Sequence, residues 1–169
     1  MDDQNGDAEY SREPSVDDLV LLCQHLNAEG VKYAVIGGFA MLLAGYLRTT
    51  GDIDLLVDSS TDNVERIKRA LSYLPDHAVA ELATDEVAKY TVVRIADEIV
   101  IDLMEKACQI TYQRAEPRIQ YRPIQGVQVP CLPPKLLLQT KLSFRPKDVS
   151  DRRFLEQLLA EDPHQQSES

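Results

Sequence analysis

Between Tyr33 and Asp58 the chain reads YAVIGGFAMLLAGYLRTTGDIDLLVD. An apolar strand breaks at two glycines, an apolar helix follows, and a second apolar strand carries Asp52 and Asp54. Strand and helix are both too apolar to lie on a surface, so the segment must sit in a core. Ionised carboxylates in such a run are costly unless something cationic meets them. The segment therefore demands a fold that brings two carboxylates to one place and supplies them with a positive partner.

Strand geometry says where they point. Side chains alternate faces along a strand. Asp52, Asp54, Leu56 and Asp58 share one face, and Ile53, Leu55 and Val57 share the other. Asp52 and Asp54 thus project to the same side, about 7 Å apart along the strand. The later run EIVIDLME repeats the pattern: Ile99, Ile101 and Leu103 face one way, Val100, Asp102 and Met104 the other. Three carboxylates on neighbouring strands would converge. Two such charges at about 4 Å repel by roughly 4 kcal/mol at an effective dielectric of about 20. Oxygen-only ligands suit Mg²⁺ or Mn²⁺. The residues alone also allow a structural reading, in which Asp52 follows the Gly51 turn and Asp102 pairs with an arginine such as Arg94. Sugar transferases and one phosphatase class use an Asp-x-Asp as well. The phosphatase pattern has Thr two residues after the second Asp, where this chain has Leu56.

Gly37 and Gly38 end the first strand and open the helix, which lets the backbone turn sharply and a ligand approach closely. The helix N-terminus behind them is a natural phosphate seat. The spacing matches neither a Walker loop nor a dinucleotide fingerprint.

The rest of the chain reads as mixed α and β, expected to be a small mixed sheet flanked by helices. A helix runs from Ser15, a cap with Asp18 three residues on, to a stop at Gly30. VKYAVIG and IDLLVD are strands around a helix from Phe39 to about Leu47. TDNVERIKRALSYL is an amphipathic helix capped by Thr61 or Asp62. A weak strand is expected near His77–Leu82, then a strand pair, KYTVVRIA and EIVIDLME, turning at Asp97 and Glu98. A short helix fits within 107–116, and extended pieces surround Gly126. PPKLLLQTKLSF and VSDRRFLEQLLA read as two helices. On the first of these, Lys141 and Arg145 lie four apart and would share one face.

Length and charge bound the function. At 169 residues one domain is expected, assigned to 15–160, with acidic disordered tails over 1–14 and 161–169. The net charge of −10 looks hostile to a polyanion. Its distribution says otherwise, because residues 1–18 hold seven acids and 156–169 hold four, leaving 17 acids and 17 bases between. Within that neutral body, Lys135 to Arg153 holds six bases against Asp148 and Asp151. No apolar run approaches the roughly 20 residues of a membrane helix, and the polar start is not a secretory signal. A cytoplasmic protein without a membrane partner is expected. Cys23, Cys108 and Cys131 fit neither a disulfide framework nor a zinc site, and His25, His77 and His164 share no ligand spacing.

The combination carried by VIGGFA, RTTGDIDLLV and EIVIDLM resembles the DNA polymerase β-type nucleotidyltransferase superfamily. It is most similar to small bacterial nucleotidyltransferases related to abortive-infection toxins. Their R-x-T-x-D-I-D-L pattern reads here as Arg48, Thr50, Asp52, Ile53, Asp54 and Leu55. Their distal pattern reads as Lys141, Leu142, Arg145, Lys147, Asp148 and Asp151. The resemblance covers Val31 to Leu159. It implies the nucleotidyltransferase fold and a metal-dependent transfer of an NMP group from an NTP to an acceptor hydroxyl, with release of pyrophosphate. The acceptor is left open between a small molecule, an RNA end and a protein hydroxyl. By the resemblance, Asp52, Asp54 and Asp102 would be the catalytic metal ligands for Mg²⁺ or Mn²⁺. Gly37, Gly38, Arg48, Thr50, Lys141 and Arg145 would hold the nucleotide. Many superfamily members have Gly-Ser where this chain has Gly-Gly, which shifts phosphate holding toward backbone amides and toward Lys141 and Arg145. The alternative is a non-catalytic nucleotide-binding module or toxin–antitoxin component that kept the fold, with an antitoxin as partner.

Overall fold

In the computed structural model the described residues are 11–161. The acidic ends outside that range, 1–10 and 162–169, lie outside the described residues. Helix α1 (Val16–Ala28) starts with the expected capping box: Ser15 N donates to Asp18 Oδ2 at 2.7 Å, and Asp18 N donates to Ser15 Oγ at 3.3 Å. It stops where Gly30 adopts φ +68°. Residues 11–14, assigned above to the N-terminal tail, are tied down on this cap. Arg12 forks onto the Asp18 carboxylate at 2.6 and 2.7 Å, its amide donates to Glu98 O at 2.9 Å, and Ser11 Oγ donates to Asp97 O at 2.6 Å.

The strands are β1 (Tyr33–Ile36), β2 (Ile53–Val57), β3 (Val93–Ala96), β4 (Val100–Met104), β5 (Lys106–Ala107), β6 (Ile110–Thr111), β7 (Gln120–Ile124) and β8 (Val127–Cys131). Among the described residues they make one six-stranded mixed sheet, ordered β3-β4-β2-β1-β8-β7, and a small β5-β6 hairpin. The centre of the sheet is β2, antiparallel to β1 and parallel to β4. A strand covered on both faces should be continuously apolar. β2 is, with Asp54 its one residue that is not fully buried. The core gathers Leu19, Leu22 and Leu26 of α1 with Ile53, Leu55, Ile101 and Leu103 of the sheet.

Helix α2 (Gly37–Leu43) begins two residues before the expected Phe39 and ends short of Leu47. Its early stop is at Gly45, whose φ of +105° leaves helical space. Helix α3 (Thr61–Ala70) is capped by Ser60, one residue before the expected Thr61 or Asp62. Buried Asn63 then explains the tight junction, since its amide bonds both backbone groups of Lys32 and the carbonyl of Asp58. The strand expected near His77–Leu82 is instead a 3₁₀ turn over Ala78–Glu81. The cause is Asp97, whose buried carboxylate takes the amides of Asp76 and Ala78 at 3.0 and 2.9 Å and leaves them no strand partner to seek.

After the one-turn helix α4 (Glu86–Lys89), the β3–β4 pair turns at Asp97 and Glu98 as expected. The ambiguous 107–116 stretch forms β6 and the one-turn α5 (Tyr112–Ala115). The chain around Gly126 is the β7–β8 hairpin. Two helices close the chain, α6 (Pro134–Gln139) and α7 (Pro146–Glu161). Because α6 stops at Gln139, Lys141 is not helical and does not share a helix face with Arg145. Arg152 causes this: its guanidinium takes the carbonyls of Lys141 and Ser143 and holds the loop away from a helical path. Leu142 on the same loop is exposed.

Candidate active site

Parallel pairing of β2 with β4 places Asp54 directly beside Asp102, and antiparallel pairing of β3 places Arg94 directly beside Asp102 on the far side. Register partners carry their side chains on one face. The sheet therefore lays out Asp54, Asp102 and Arg94 in a row, with Asp52 two residues before Asp54. One oxygen from each of the three carboxylates lies within 4.8 Å of the others. The convergence expected from strand alternation is present.

Mutual repulsion shows in the acidities. Burial, and then the charges of Asp52 and Asp102, push the Asp54 carboxyl up to about 7, against the pull of Lys141 and Lys147. Asp52 is raised by burial and by Asp102, opposed by Arg94 and Lys147. Arg94 forks onto Asp102, with Nε to Oδ1 and Nη2 to Oδ2 both at 2.9 Å, and Nη2 also reaches Asp52 Oδ2 at 3.2 Å.

The two glycines are demanded by these side chains. Gly37 has φ +67°, and a Cβ there would overlap the Asp54 carboxylate. A Cβ on Gly38 would overlap the Thr50 hydroxyl and crowd Arg48. Thr50 is buried and donates to Asp52 O at 3.0 Å, which fixes the backbone that carries the first carboxylate.

The expected cations fall into two groups. Arg48 forks onto Asp151 at 3.1 and 3.0 Å, and Lys141 Nζ joins the same carboxylate at 3.1 Å. Asp151 is fully buried and the Lys141 side chain only 7% exposed. Arg145 sits further out, 75% exposed, against Asp148 at 3.0 Å. Asp148 also accepts from Ser143 Oγ, and despite its burial these two donors hold its carboxyl below the usual range. Lys147 is exposed at the start of α7.

All of these groups except Thr50, Ser143 and Asp151 line one cavity of about 770 Å³. The lining brings the acids Asp52, Asp54, Asp102, Asp148 and Glu86 together with the bases Arg48, Arg94, Lys141, Arg145 and Lys147, beside Gly37, Gly38, Tyr90 and Val92. Of these, Glu86 and Val92 have no signature in the sequence. Arg94 entered the sequence reading only as a partner for Asp102. A two-residue turn at Asp97 and Glu98 would put it opposite Ile101; the loop spans three residues, 97–99, and this sets it opposite Asp102, so the register came only with the structure.

A family model described as a nucleotidyl transferase of unknown function, DUF2204, matches residues 15–151. The chain belongs to this family. No curated protein matches it. The DUF2204 chain is similar to a crystal structure of a candidate nucleotidyltransferase from Thermotoga maritima, at 17% identity over 87% of this chain and 93% of that one, with a TM-score of 0.54. The likeness shows the nucleotidyltransferase fold. An antigenic nucleotidyltransferase-like protein from Paracoccidioides brasiliensis is also similar, at 17% identity over 84% of this chain and 74% of that one, with a TM-score of 0.49. Among the described residues no helix is long and apolar enough to cross a membrane.

Proposed function

We propose that the DUF2204 chain transfers a nucleoside monophosphate from an NTP to an acceptor hydroxyl and does so with a divalent ion. The observation that carries this reading is the convergence of Asp52, Asp54 and Asp102 in a cavity that Arg48, Lys141, Arg145 and Lys147 also line. The donor set fits the ion: three carboxylates, no nitrogen or sulfur, and a local excess of negative charge that a hard cation such as Mg²⁺ or Mn²⁺ offsets. When bound, such an ion supplies charge neutralisation to the phosphates and acidifies a nearby hydroxyl.

The chain's own residues do the rest. Gly37 and Gly38 line the cavity at the start of α2, and their amides would take phosphate oxygens. Lys141, Arg145 and Lys147 balance the triphosphate charge. Arg48, forked on Asp151, places Lys141 and the cavity wall rather than reaching out itself. The acceptor oxygen attacks the α-phosphorus, a new P–O bond forms, and the bond to the β-phosphate bridging oxygen breaks. Pyrophosphate carries that electron pair away. The hydroxyl proton passes to Asp102.

The test is pyrophosphate release from each of the four NTPs with Mg²⁺ or Mn²⁺, across a panel of small hydroxyl compounds, RNA ends and protein acceptors. Release that needs both ion and acceptor, and that Asp54→Asn abolishes, is expected. NTP binding without turnover on any acceptor would favour a non-catalytic nucleotide-binding module instead.

A further inference from the structure

The carboxylate cluster already has a cation, and it belongs to the protein. Arg94 uses two nitrogens on the two oxygens of Asp102 and shares one of them with Asp52. Its side chain is 45% exposed and lines the cavity, whereas Asp102 is 8% exposed. A forked guanidinium fills the in-plane lone pairs of a carboxylate that face it. A divalent ion on Asp102 and Asp52 would need those same oxygens, and it would repel the guanidinium held beside it.

We propose that Arg94 is a built-in competitor for the divalent ion. Ion loading displaces its guanidinium from Asp52 and Asp102 and frees it into the cavity. This rests on the metal site of the proposed function and adds a regulatory element to it. The apo cluster is kept neutral enough to fold, and the ion binds weakly on its own. The freed guanidinium stays on β3, inside the cavity, where an anionic group of a substrate can take it. Ion and anionic substrate therefore load together rather than separately. Lys141 cannot play this part, because its partner Asp151 is sealed away from the carboxylates and holds it in place.

Mn²⁺ binding to the full chain at pH 8, followed by the loss of the free-ion EPR signal, tests the competition directly. Wild type, Arg94→Met, Arg94→Lys and Asp54→Asn are compared, with circular dichroism confirming the fold. Arg94→Gln repeats the measurement if the Met variant does not fold. Removing the guanidinium is expected to tighten Mn²⁺ binding at least tenfold. Arg94→Lys, with a single ammonium that cannot fork, should fall between that and wild type. A neutral variant that folds and binds Mn²⁺ no tighter than wild type overturns the proposal, since a merely structural arginine would change stability and leave ion affinity alone. If Asp54→Asn leaves Mn²⁺ binding untouched, the ion sits elsewhere. That outcome sinks the metal reading of the site itself, and the competition with it.

Discussion

Two ion-pair clusters lie within one cavity's walls, and they are built in opposite ways. In one, Asp52 and Asp102 share the single guanidinium of Arg94, and the Asp54 carboxylate lies beside them. In the other, the single carboxylate of Asp151 takes both Arg48 and Lys141. The first is partly open and over-supplied with negative charge. The second is sealed and over-supplied with positive charge. A buried carboxylate whose partners are complete has nothing left to offer a ligand, so Asp151 acts as a joint between α7 and the loops before β2 and after α6, while Lys141, which lines the cavity, also adds positive charge there. The Asp52–Asp54–Asp102 cluster is left short of positive charge, and that deficit is what suits it to a divalent ion. Number of partners, more than residue type, separates a strut from a site.

Breaking the sealed cluster should have the largest effect. Asp151→Ala strands two cations in a buried position, and loss of one side of such a pair typically costs about 3–5 kcal/mol. Urea unfolding measures it; a loss under about 1 kcal/mol would mean the two clusters do not differ in kind. Gly37→Ala comes next. It forces a left-handed backbone on alanine, about 1–2 kcal/mol, and pushes a methyl into the Asp54 carboxylate, about 1–3 kcal/mol of overpacking. The same assay applies, and a neutral result would show that Asp54 can move without consequence.

The open cluster should respond differently. Asp54→Asn removes a repelling charge, so stability without ion should hold or rise slightly. What it should lose is the stabilisation by divalent ion, about 2.7 kcal/mol at an ion concentration a hundredfold above the dissociation constant. Thermal shifts with and without Mg²⁺ or Mn²⁺ separate the two effects; a variant that keeps the ion-dependent shift would place the ion away from this cluster. The smallest stability change is expected for Arg145→Ala. Its pair with Asp148 is largely in solvent, and such pairs contribute about 0–1 kcal/mol. Yet calorimetry with NTP and Mg²⁺ should show about ten- to a hundredfold weaker binding, the value of one charge-assisted contact. Unchanged affinity would return Arg145 to the solvated surface. Lys141→Ala, by contrast, should weaken both stability and binding, because it belongs to both clusters' surroundings.

What was legible in the chain was local. Alternation along VIDLM and IDLLV set the faces of Asp54 and Asp102, the Ser15–Asp18 spacing set the start of α1, and the turn at Asp97 and Glu98 showed that β3 and β4 pair. The misread stretches all depend on a distant partner. His77–Leu82 looked like a strand because nothing nearby shows that Asp97 will take its amides. Lys141 looked helical because the arginine that pulls its carbonyl away lies eleven residues on, at Arg152. The role of Gly38 as room for Thr50 is invisible until α2 and the loop before β2 meet.

By itself the sequence determined that Asp54 and Asp102 lie on apolar strands with Asp52 just before the first, that two glycines open the helix between β1 and β2, and that the bases gather near the C-terminus. Each follows from covalent spacing and from periodicities of one element. Only the tertiary structure decided which charges are spent on each other and which remain available. Arg48 and Lys141 close on Asp151, and Arg94 closes on Asp102 and Asp52, because sheet register and helix packing bring residues 8 to 103 positions apart into hydrogen-bond range. Coulomb energy depends on separation in space and on the solvent between the charges, and neither quantity is written along the chain.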